Sequence, residues 1–349
     1  MRRVLRLFRR RRRSDSSDET GGSSSGGIRE SRGVFRRTLG LKVLQIVPVL
    51  VVVTFFTTAL SDLIPGSTAL AYLGPNAGPA AVNNFNREYG LDHSLLHRYW
   101  TWVTNALQGN LGLSYQTHSS VSHIIAQHLA VTVEVGLLAL LISLLLTVPL
   151  AMLSAIRPGG LIDRVVTGTS SVLIAVPVFI TSVLIVYVLS VRAGLFPSSG
   201  WASLSAGIGP NLRHVALPVI TVVLGVTPLL VRVLRGDIVS TLGQEFVIAA
   251  RARGLPNLYI LFRHVLRASM ASLLTLMGLI LGFLFAGSIV VETFFGLPGL
   301  GLLASNAVTQ KDLPIVQGVV VFVAIIYLLA NILVDLLYAV LDPRIGSHR

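Results

Sequence analysis

One polar stretch in the second half of the chain reads Glu245-Phe246-Val247-Ile248-Ala249-Ala250-Arg251-Ala252-Arg253-Gly254-Leu255. It lies between two long apolar segments and has the features of a short amphipathic helix. Glu245 stands where a negative charge suits the positive end of a helix dipole, and Gly254 stands where a left-handed cap is needed. Pro256 then prevents the helix from continuing. Between apolar spans, such a helix indicates a docking site for a soluble protein.

Apolar residues make up 53% of the 349 residues and charged residues only 12%, which is typical of a membrane protein. A helix that crosses the membrane needs about 20 residues that are mostly apolar. Six segments free of charge meet this requirement: Val43–Ser61, Val135–Ile156, Val165–Val191, Val215–Val231, Ala268–Val291 and Leu313–Val334. The sequence therefore predicts an all-α membrane protein with six transmembrane helices.

The positions of the 28 Lys and Arg residues predict the orientation, because short loops rich in these residues stay on the cytoplasmic side. Many precede the first span, and another group lies between spans four and five: Arg232, Arg235, Arg251, Arg253, Arg263 and Arg267. With both termini inside, the basic residues left outside are few: Arg87, Arg98, Arg192, Arg213 and Lys311. We therefore expect both termini and the polar stretch to be cytoplasmic.

The chain divides into five regions by composition. Residues 1–40 contain the run Arg9 to Arg13 and are predicted to be a disordered cytoplasmic tail that accounts for much of the net charge of +13. We expect this tail to meet lipid and not nucleic acid. Residues 41–62 are the first transmembrane helix, and residues 63–129 an external segment of short helices. Residues 130–341 form a five-helix core with a cytoplasmic coupling region at 235–267, and residues 342–349 are a cytoplasmic C-terminus.

The sequence lacks the residues that common catalytic sites require. Its only lysines are Lys42 and Lys311, and neither stands in a phosphate-binding Gly-x-x-x-x-Gly-Lys-Ser/Thr loop. The histidines show no metal-ligand spacing, and there is no cysteine. We therefore expect a transport subunit that is not an enzyme and holds no cofactor or metal. Energy for uphill transport must come from another chain or from an ion gradient.

Acidic residues near the apolar spans are few, namely Glu134, Glu292 and Asp335, and none is predicted to lie in the middle of a span. An ionisable group at the bilayer centre is costly and usually marks an ion or proton site. We expect these three residues to lie at interfaces or in polar pairs between helices. This expectation disfavours a secondary transporter or a channel, which is the alternative of a different class.

The polar stretch resembles the coupling-helix signature of permease subunits in ATP-binding-cassette importers. Glu245, the small pair Ala249 and Ala250, and Gly254 match the positions of that signature. The flanking residues are similar to the dipeptide, oligopeptide and nickel branch of the family. Further segments resemble the first permease subunit of that branch: Gly109-Asn110-Leu111-Gly112-Leu113-Ser114, Glu292-Thr293-Phe294-Phe295-Gly296-Leu297-Pro298-Gly299-Leu300-Gly301 and Leu341-Asp342-Pro343-Arg344.

The resemblance implies a type I ABC importer permease fold in the plasma membrane of a prokaryote. It further implies three kinds of partner besides the lipid bilayer: a second homologous permease, two ATP-binding subunits that hold ATP and Mg²⁺, and an extracytoplasmic substrate-binding protein. Nucleic acid is not among the expected partners. Short peptides are the cargo that this branch favours, with nickel complexes, haem or another small solute as the alternatives.

Two sets of site residues follow from the resemblance. The residues expected to couple the chain to the ATPase are Glu245, Phe246, Ala249, Ala250, Arg251, Arg253 and Gly254. Among them we expect Phe246 and Ala250 to form one apolar face with Val247. The residues expected to form an outer gate in a non-helical loop are Phe294, Phe295, Gly296, Pro298 and Gly299. For this loop a simple tight connector is the alternative.

Overall fold

A computed structural model describes residues 47–59 and 67–341, and within these residues the chain is helical apart from turns and one isolated bridge. In chain order the helices are α1 (Val47–Ala59), α2 (Thr68–Leu73), α3 (Pro79–Glu88), α4 (Leu95–Leu107), α5 (Val121–Ile156), α6 (Leu161–Ala175), α7 (Val178–Ile185), α8 (Ile208–Leu242), α9 (Glu245–Ala252), α10 (Leu266–Phe295), α11 (Leu300–Thr309) and α12 (Leu313–Leu341). A π-helical segment, Val186–Arg192, extends α7, and another, Ile260–Val265, leads into α10. The predicted tail, the ends of the first predicted span and residues 342–349 lie outside the described residues.

Within the described residues, four helical stretches are long and apolar enough to cross a membrane: Val121–Ile156, Ile208–Leu242, Asn257–Gly282 and Leu313–Val334. They correspond to the predicted spans two, four, five and six. Most are longer than expected, because polar and charged residues at the ends of the apolar segments continue the helix. The described part of the first predicted span forms the apolar helix α1.

The third predicted span, Val165–Val191, is not one straight helix. It consists of α6 and of α7 with its π-helical extension, and the two parts meet at an angle of 106°. The break lies at Val176, which has an extended backbone, and at Pro177. Proline lacks the N–H that the helix needs and disfavours helical geometry in the residue before it, so the chain turns here.

The apolar core lies along α8 and has a cluster near each end of that helix. Near its start, Val215 and Val219 pack with residues of α5, α7 and α10. Near its end, Leu234 and Ile238 pack with the end of α5, with α9 and with the first half of α10. A third cluster joins the beginning of α5 to α11 and α12. These clusters join α8 to α5, α7, α9 and α10, and join α5 to α11 and α12.

The segment between α1 and α5 forms short helices, as the sequence predicted, and it is tied to the connection between α11 and α12. The carboxylate of Asp312 accepts hydrogen bonds from Ser114 Oγ and, at 3.2 Å, from the Tyr115 amide N–H. The Tyr115 ring is buried against Phe85 and Tyr89. Burial, together with the nearby Asp312 carboxylate, raises the pKa of Tyr115 well above its usual range.

Candidate functional site

The polar stretch that the sequence marked as a docking site forms helix α9, which begins at Glu245 as expected and ends at Ala252. Its inner side is held by the chain's own core. Val247 and Ala250 are both buried, in the apolar cluster that the end of α8 and the beginning of α10 also form. Because interiors are close-packed, α9 cannot shift without moving the two long helices that it connects.

The C-terminal end of α9 confirms the predicted cap. Gly254 has a φ of 77°, and the Leu255 N–H donates to the carbonyl oxygen of Ala250 at 3.3 Å. This is the bonding pattern of a Schellman cap, in which glycine takes the left-handed position without steric cost. Leu255 also packs against the apolar cluster under α9. After Pro256 the next helical turn begins at Asn257.

The outward side of α9 exposes large and small apolar side chains. Phe246 is 42% exposed and Ile248 is 57% exposed, and Ala249 is exposed beside them. The prediction of one apolar face made of Phe246, Val247 and Ala250 was therefore only partly correct. Successive helical residues turn by about 100°. Val247 and Ala250 point into the chain's core, whereas Phe246 lies at the edge of that buried stripe.

The remaining predicted coupling residues are all accessible. Glu245, Arg251, Arg253 and Gly254 are exposed, so Ala250 is the one member of the predicted set that is buried. We call the exposed side chains of Phe246, Ile248 and Ala249 the docking surface. These side chains share the exposed half of α9, with Phe246 and Ile248 near its two edges and Ala249 between them. Exposed apolar side chains beside charged residues are typical of a protein interface.

A buried ion pair braces the end of α8 that leads into α9. The guanidinium of Arg235 donates to both carboxylate oxygens of Asp163, with 2.7 Å between Nη2 and Oδ2. Ser154 Oγ and the Gly159 N–H donate to the same carboxylate. The side chain of Asp163 is 6% exposed and that of Arg235 is 24% exposed. The pair therefore joins the end of α5 and the start of α6 to α8.

The second predicted site is organised by the buried carboxylate of Glu292 in the last turns of α10. This carboxylate accepts hydrogen bonds from Thr132 Oγ1 at 2.7 Å, from the Gly301 N–H at 2.6 Å and from the Leu302 N–H at 3.1 Å. The two N–H groups belong to the first turn of α11, where a helix has no acceptors of its own. Thr132 also accepts from the Leu300 N–H at 2.8 Å. The expectation that Glu292 lies in a polar pair between helices is confirmed.

The predicted non-helical gate loop is shorter than expected. Phe294 and Phe295 belong to α10, which continues until Gly296 takes the left-handed conformation with a φ of 65°. Phe295 is buried in the core cluster near the start of α8, whereas Phe294 is 38% exposed. Only residues from Gly296 to Gly299, including the half-buried Pro298, form the turn into α11. The helix extends further than predicted because the glycine cap, and not the aromatic pair, ends it.

Two glycines in this region are needed for close packing around Glu292. A Cβ atom on Gly299 would lie 2.3 Å from the carboxyl carbon of Glu292. A Cβ atom on Gly301 would lie 2.6 Å from the Cα atom of Ile289. Any larger residue would therefore displace either the carboxylate or the backbone of α10. The glycines of this stretch serve the packing of α11 onto α10.

A cavity of about 460 Å³ lies beside Glu292, between α5, α6, α7, α8 and α10. Its lining is mostly apolar, and the side chains of Thr132, Thr181 and Glu292 supply polar groups. Among the described residues, no three His, Asp or Glu side chains are grouped in a way that could hold a metal ion. The cavity is a mostly apolar space enclosed by five helices.

Two family models match the chain. The model described as binding-protein-dependent transport system inner membrane component matches residues 147–347. The model for the N-terminal part of such membrane components matches residues 31–136. The chain belongs to this family of transport components. We refer to it below as the permease.

Several relatives cover nearly the whole permease. A probable peptide ABC transporter permease protein of Sinorhizobium fredii is 31% identical over 87% of this chain and 97% of its own length. A putative peptide permease protein of Brucella suis is 35% identical over 85% of this chain and 94% of its own length. The oligopeptide transport system permease protein AppB of Bacillus subtilis is 31% identical over 89% of this chain and 98% of its own length.

A solved structure supports the fold. A chain of the MetNI methionine ABC transporter, solved in inward-facing conformations, superposes with a TM-score of 0.52 at 16% identity. The match covers 63% of the permease and 96% of that chain. The permease is therefore a multi-pass inner membrane protein with the type I ABC importer permease fold, as the sequence predicted.

Sequence reasoning missed some residues that organise the permease. Asp163 and Arg235 are 72 positions apart, so no local pattern connects them. The sequence offered one sign of this pair: Asp163 is a lone acidic residue at the start of the third predicted span, and Arg235 is a basic residue just after the fourth. Ile248 was also missed, although a large apolar residue in the middle of a polar stretch was a usable sign of a docking surface.

We expect the substitution Arg235→Ala to lower the free energy of unfolding by about 2–3 kcal/mol, because it leaves the buried Asp163 carboxylate without its charged partner. Because Arg235 is partly exposed, we expect this loss of unfolding free energy to be smaller than for a fully buried ion pair. Arg232→Ala is the matched control one turn away, since Arg232 is exposed and bonds Ser171 Oγ. Thermal unfolding in detergent measures both variants, and equal melting temperatures would contradict the bracing role.

Proposed function

We propose that the permease is one membrane subunit of an ATP-driven importer for short peptides, which a substrate-binding protein delivers from outside the cytoplasm. The docking surface is the observation that carries this proposal. It exposes Phe246 and Ile248 on a helix whose other side, Val247 and Ala250, is fixed in the core. The peptide cargo is supported by the names of relatives from three genera, which are described as peptide or oligopeptide permeases.

In this proposal α9 transmits movement from an ATP-binding subunit to the membrane helices. The partner binds the docking surface, and its closure on ATP displaces α9. The displacement passes to α8 and α10, because the buried side of α9 packs tightly against both. The ion pair between Asp163 and Arg235 carries the same movement to α5 and α6. ATP hydrolysis then resets the permease.

The proposed assembly contains a second, homologous permease, two ATP-binding subunits and the substrate-binding protein. ATP and Mg²⁺ are bound by the ATP-binding subunits. The distribution of basic residues supports an orientation with α9 and both termini in the cytoplasm. The turn between α10 and α11 then lies toward the outer side, where Phe294 is the aromatic residue of the proposed gate that can meet substrate. Phe295 serves as its buried anchor.

Uptake measurements test the cargo. We expect cells that lack the permease to lose uptake of a labelled tripeptide, and we expect the intact chain to restore it. A second variant, with Phe246→Asp and Ile248→Asp, tests the docking surface. It should reach the membrane but restore no uptake. Loss of nickel or haem uptake with unchanged peptide uptake would contradict the peptide assignment and leave the importer assignment standing.

A further inference from the structure

Helix α4 has three distinct sides. Successive residues turn by about 100°, so positions spaced by four, seven and eleven residues fall on one side. Leu96, Trp100 and Leu107 have this spacing, and they are 69%, 67% and 84% exposed. Val103 completes the same stripe and is half-buried. We call these four side chains the α4 stripe. It is an unbroken apolar surface along the whole helix.

The other two sides of α4 are different in character. One side, which includes Tyr99, is buried against the rest of the protein. The side opposite to it is polar and exposed, and it carries His97, Thr101 and Asn105. The α4 stripe therefore lies between a buried side and a polar side. This arrangement is typical of a helix that lies in the plane of a membrane surface.

Contacts with α1 set the position of α4 relative to the membrane. The Tyr99 hydroxyl donates to the Val51 carbonyl oxygen at 3.1 Å and lies 3.2 Å from Thr54 Oγ1. The Tyr99 ring also meets the Phe55 ring edge to face, with 5.3 Å between the centroids. Thr54 and Phe55 lie in the second half of α1, five and four residues before Ala59, so α4 packs beside the outer half of an apolar helix and not beyond its end.

The surface of α1 that faces away from these contacts is also apolar. Val52 and Phe56 are among its exposed side chains, and α1 contains no charged residue. In a protein of the inner membrane, such a surface meets lipid acyl chains. Since α4 packs against the second half of α1, which leads to the outer side of the membrane, the α4 stripe lies at the depth of the outer interface, where lipid is available. The α4 stripe itself has no charged residue, and it includes a tryptophan, which favours the membrane interface.

We propose that α4 lies in the bilayer surface, with the α4 stripe among the lipid acyl chains and with His97, Thr101 and Asn105 toward water. The segment between α1 and α5 is then anchored to the membrane and does not stand free in the aqueous phase. A soluble partner is left with the polar side of α4 and with α2 and α3. The inference concerns lipid and is independent of the cargo proposed above.

Site-directed spin labelling tests this placement directly, because the chain has no cysteine of its own. Single variants Leu96→Cys, Trp100→Cys and Leu107→Cys carry a nitroxide on the α4 stripe. Thr101→Cys and Asn105→Cys are the matched controls on the polar side of the same helix. The labelled permease, purified with its partner subunits, is placed in vesicles of phosphatidylethanolamine and phosphatidylglycerol. Collisions with oxygen, which concentrates in lipid, are compared with collisions with a water-soluble nickel chelate.

At the three stripe positions, we expect the nitroxide to collide several-fold more often with oxygen than with the nickel chelate. At the two control positions, we expect collisions with the nickel chelate to be the more frequent. Preferential access of the nickel chelate to the stripe would overturn the proposal, because the helix would then stand in water. Exclusion of both reagents would overturn it as well, because the stripe would then be covered by protein. Leu107 is the most exposed of the three positions and is the least sensitive to any effect of substitution on folding.

Discussion

The substitution Ala249→Arg is expected to reduce at least tenfold the amount of ATP-binding subunit that copurifies with the permease, and to reduce transport in parallel. Ala249 lies on the docking surface between the two exposed apolar side chains of α9. A long charged side chain at this position would hold the partner away and bring a charge into an apolar interface. A tenfold loss corresponds to about 1.4 kcal/mol of binding free energy, which one well-placed interface residue can supply.

The permease itself should stay folded, because Ala249 is exposed and makes no buried contact that arginine would break. Ala81→Arg is the matched control, since Ala81 is an exposed alanine in α3, far along the chain from α9. It should leave the copurification unchanged. Normal recovery of the ATP-binding subunit with Ala249→Arg, at equal membrane levels of permease, would show that α9 does not bind the ATPase.

The second large effect is expected from Glu292→Ala, which should lower the free energy of unfolding by about 3–5 kcal/mol. Three donors lose their acceptor at once: Thr132 Oγ1 and the N–H groups of Gly301 and Leu302. Each buried donor left without a partner costs about 1–3 kcal/mol. The turn between α10 and α11 should loosen first, because these bonds hold the start of α11. Thermal unfolding in detergent measures the loss.

Two further variants test whether the loss of stability comes from removing the Glu292 carboxylate or from any substitution at this end of α10. Thr293→Ala changes the exposed neighbour of Glu292 and should shift the melting temperature little. Glu292→Gln keeps the size of the side chain but has one acceptor oxygen instead of two, so its loss should be intermediate. A Glu292→Ala protein as stable as the unchanged permease would contradict the assignment of Glu292 as the group that holds α11 in place.

Features with a local cause could be predicted from the sequence. The helix α9 and its cap follow from Glu245, Gly254 and Pro256, which all lie within twelve residues of each other. Long apolar segments likewise predicted the spans. The third span shows where this reasoning fails, because Pro177 breaks its helix whereas Pro149 and Pro218 remain inside theirs. Whether a proline breaks a buried helix depends on the neighbouring helices, which the sequence does not display.

Features that depend on tertiary packing could not be predicted. The composition of α9 indicated that it is amphipathic, but not that Val247 and Ala250 face the chain's own core while Phe246 and Ile248 face outward. The bonds of Asp163 with Arg235 and of Glu292 with α11 join residues whose proximity only the fold creates. Both carboxylates were visible in the sequence as rare charges in apolar surroundings. Their partners were not.

The contact between α9 and an ATP-binding subunit is the central claim, and cross-linking in native membranes tests it most directly. Since the chain has no cysteine, Ile248→Cys places a single reactive thiol on the docking surface, 57% exposed at the position of the isoleucine. A short photoactivated cross-linker attached there should join the permease to one protein that carries a nucleotide-binding site, identified by mass spectrometry. Cross-links only to lipid or to the permease itself would contradict the account.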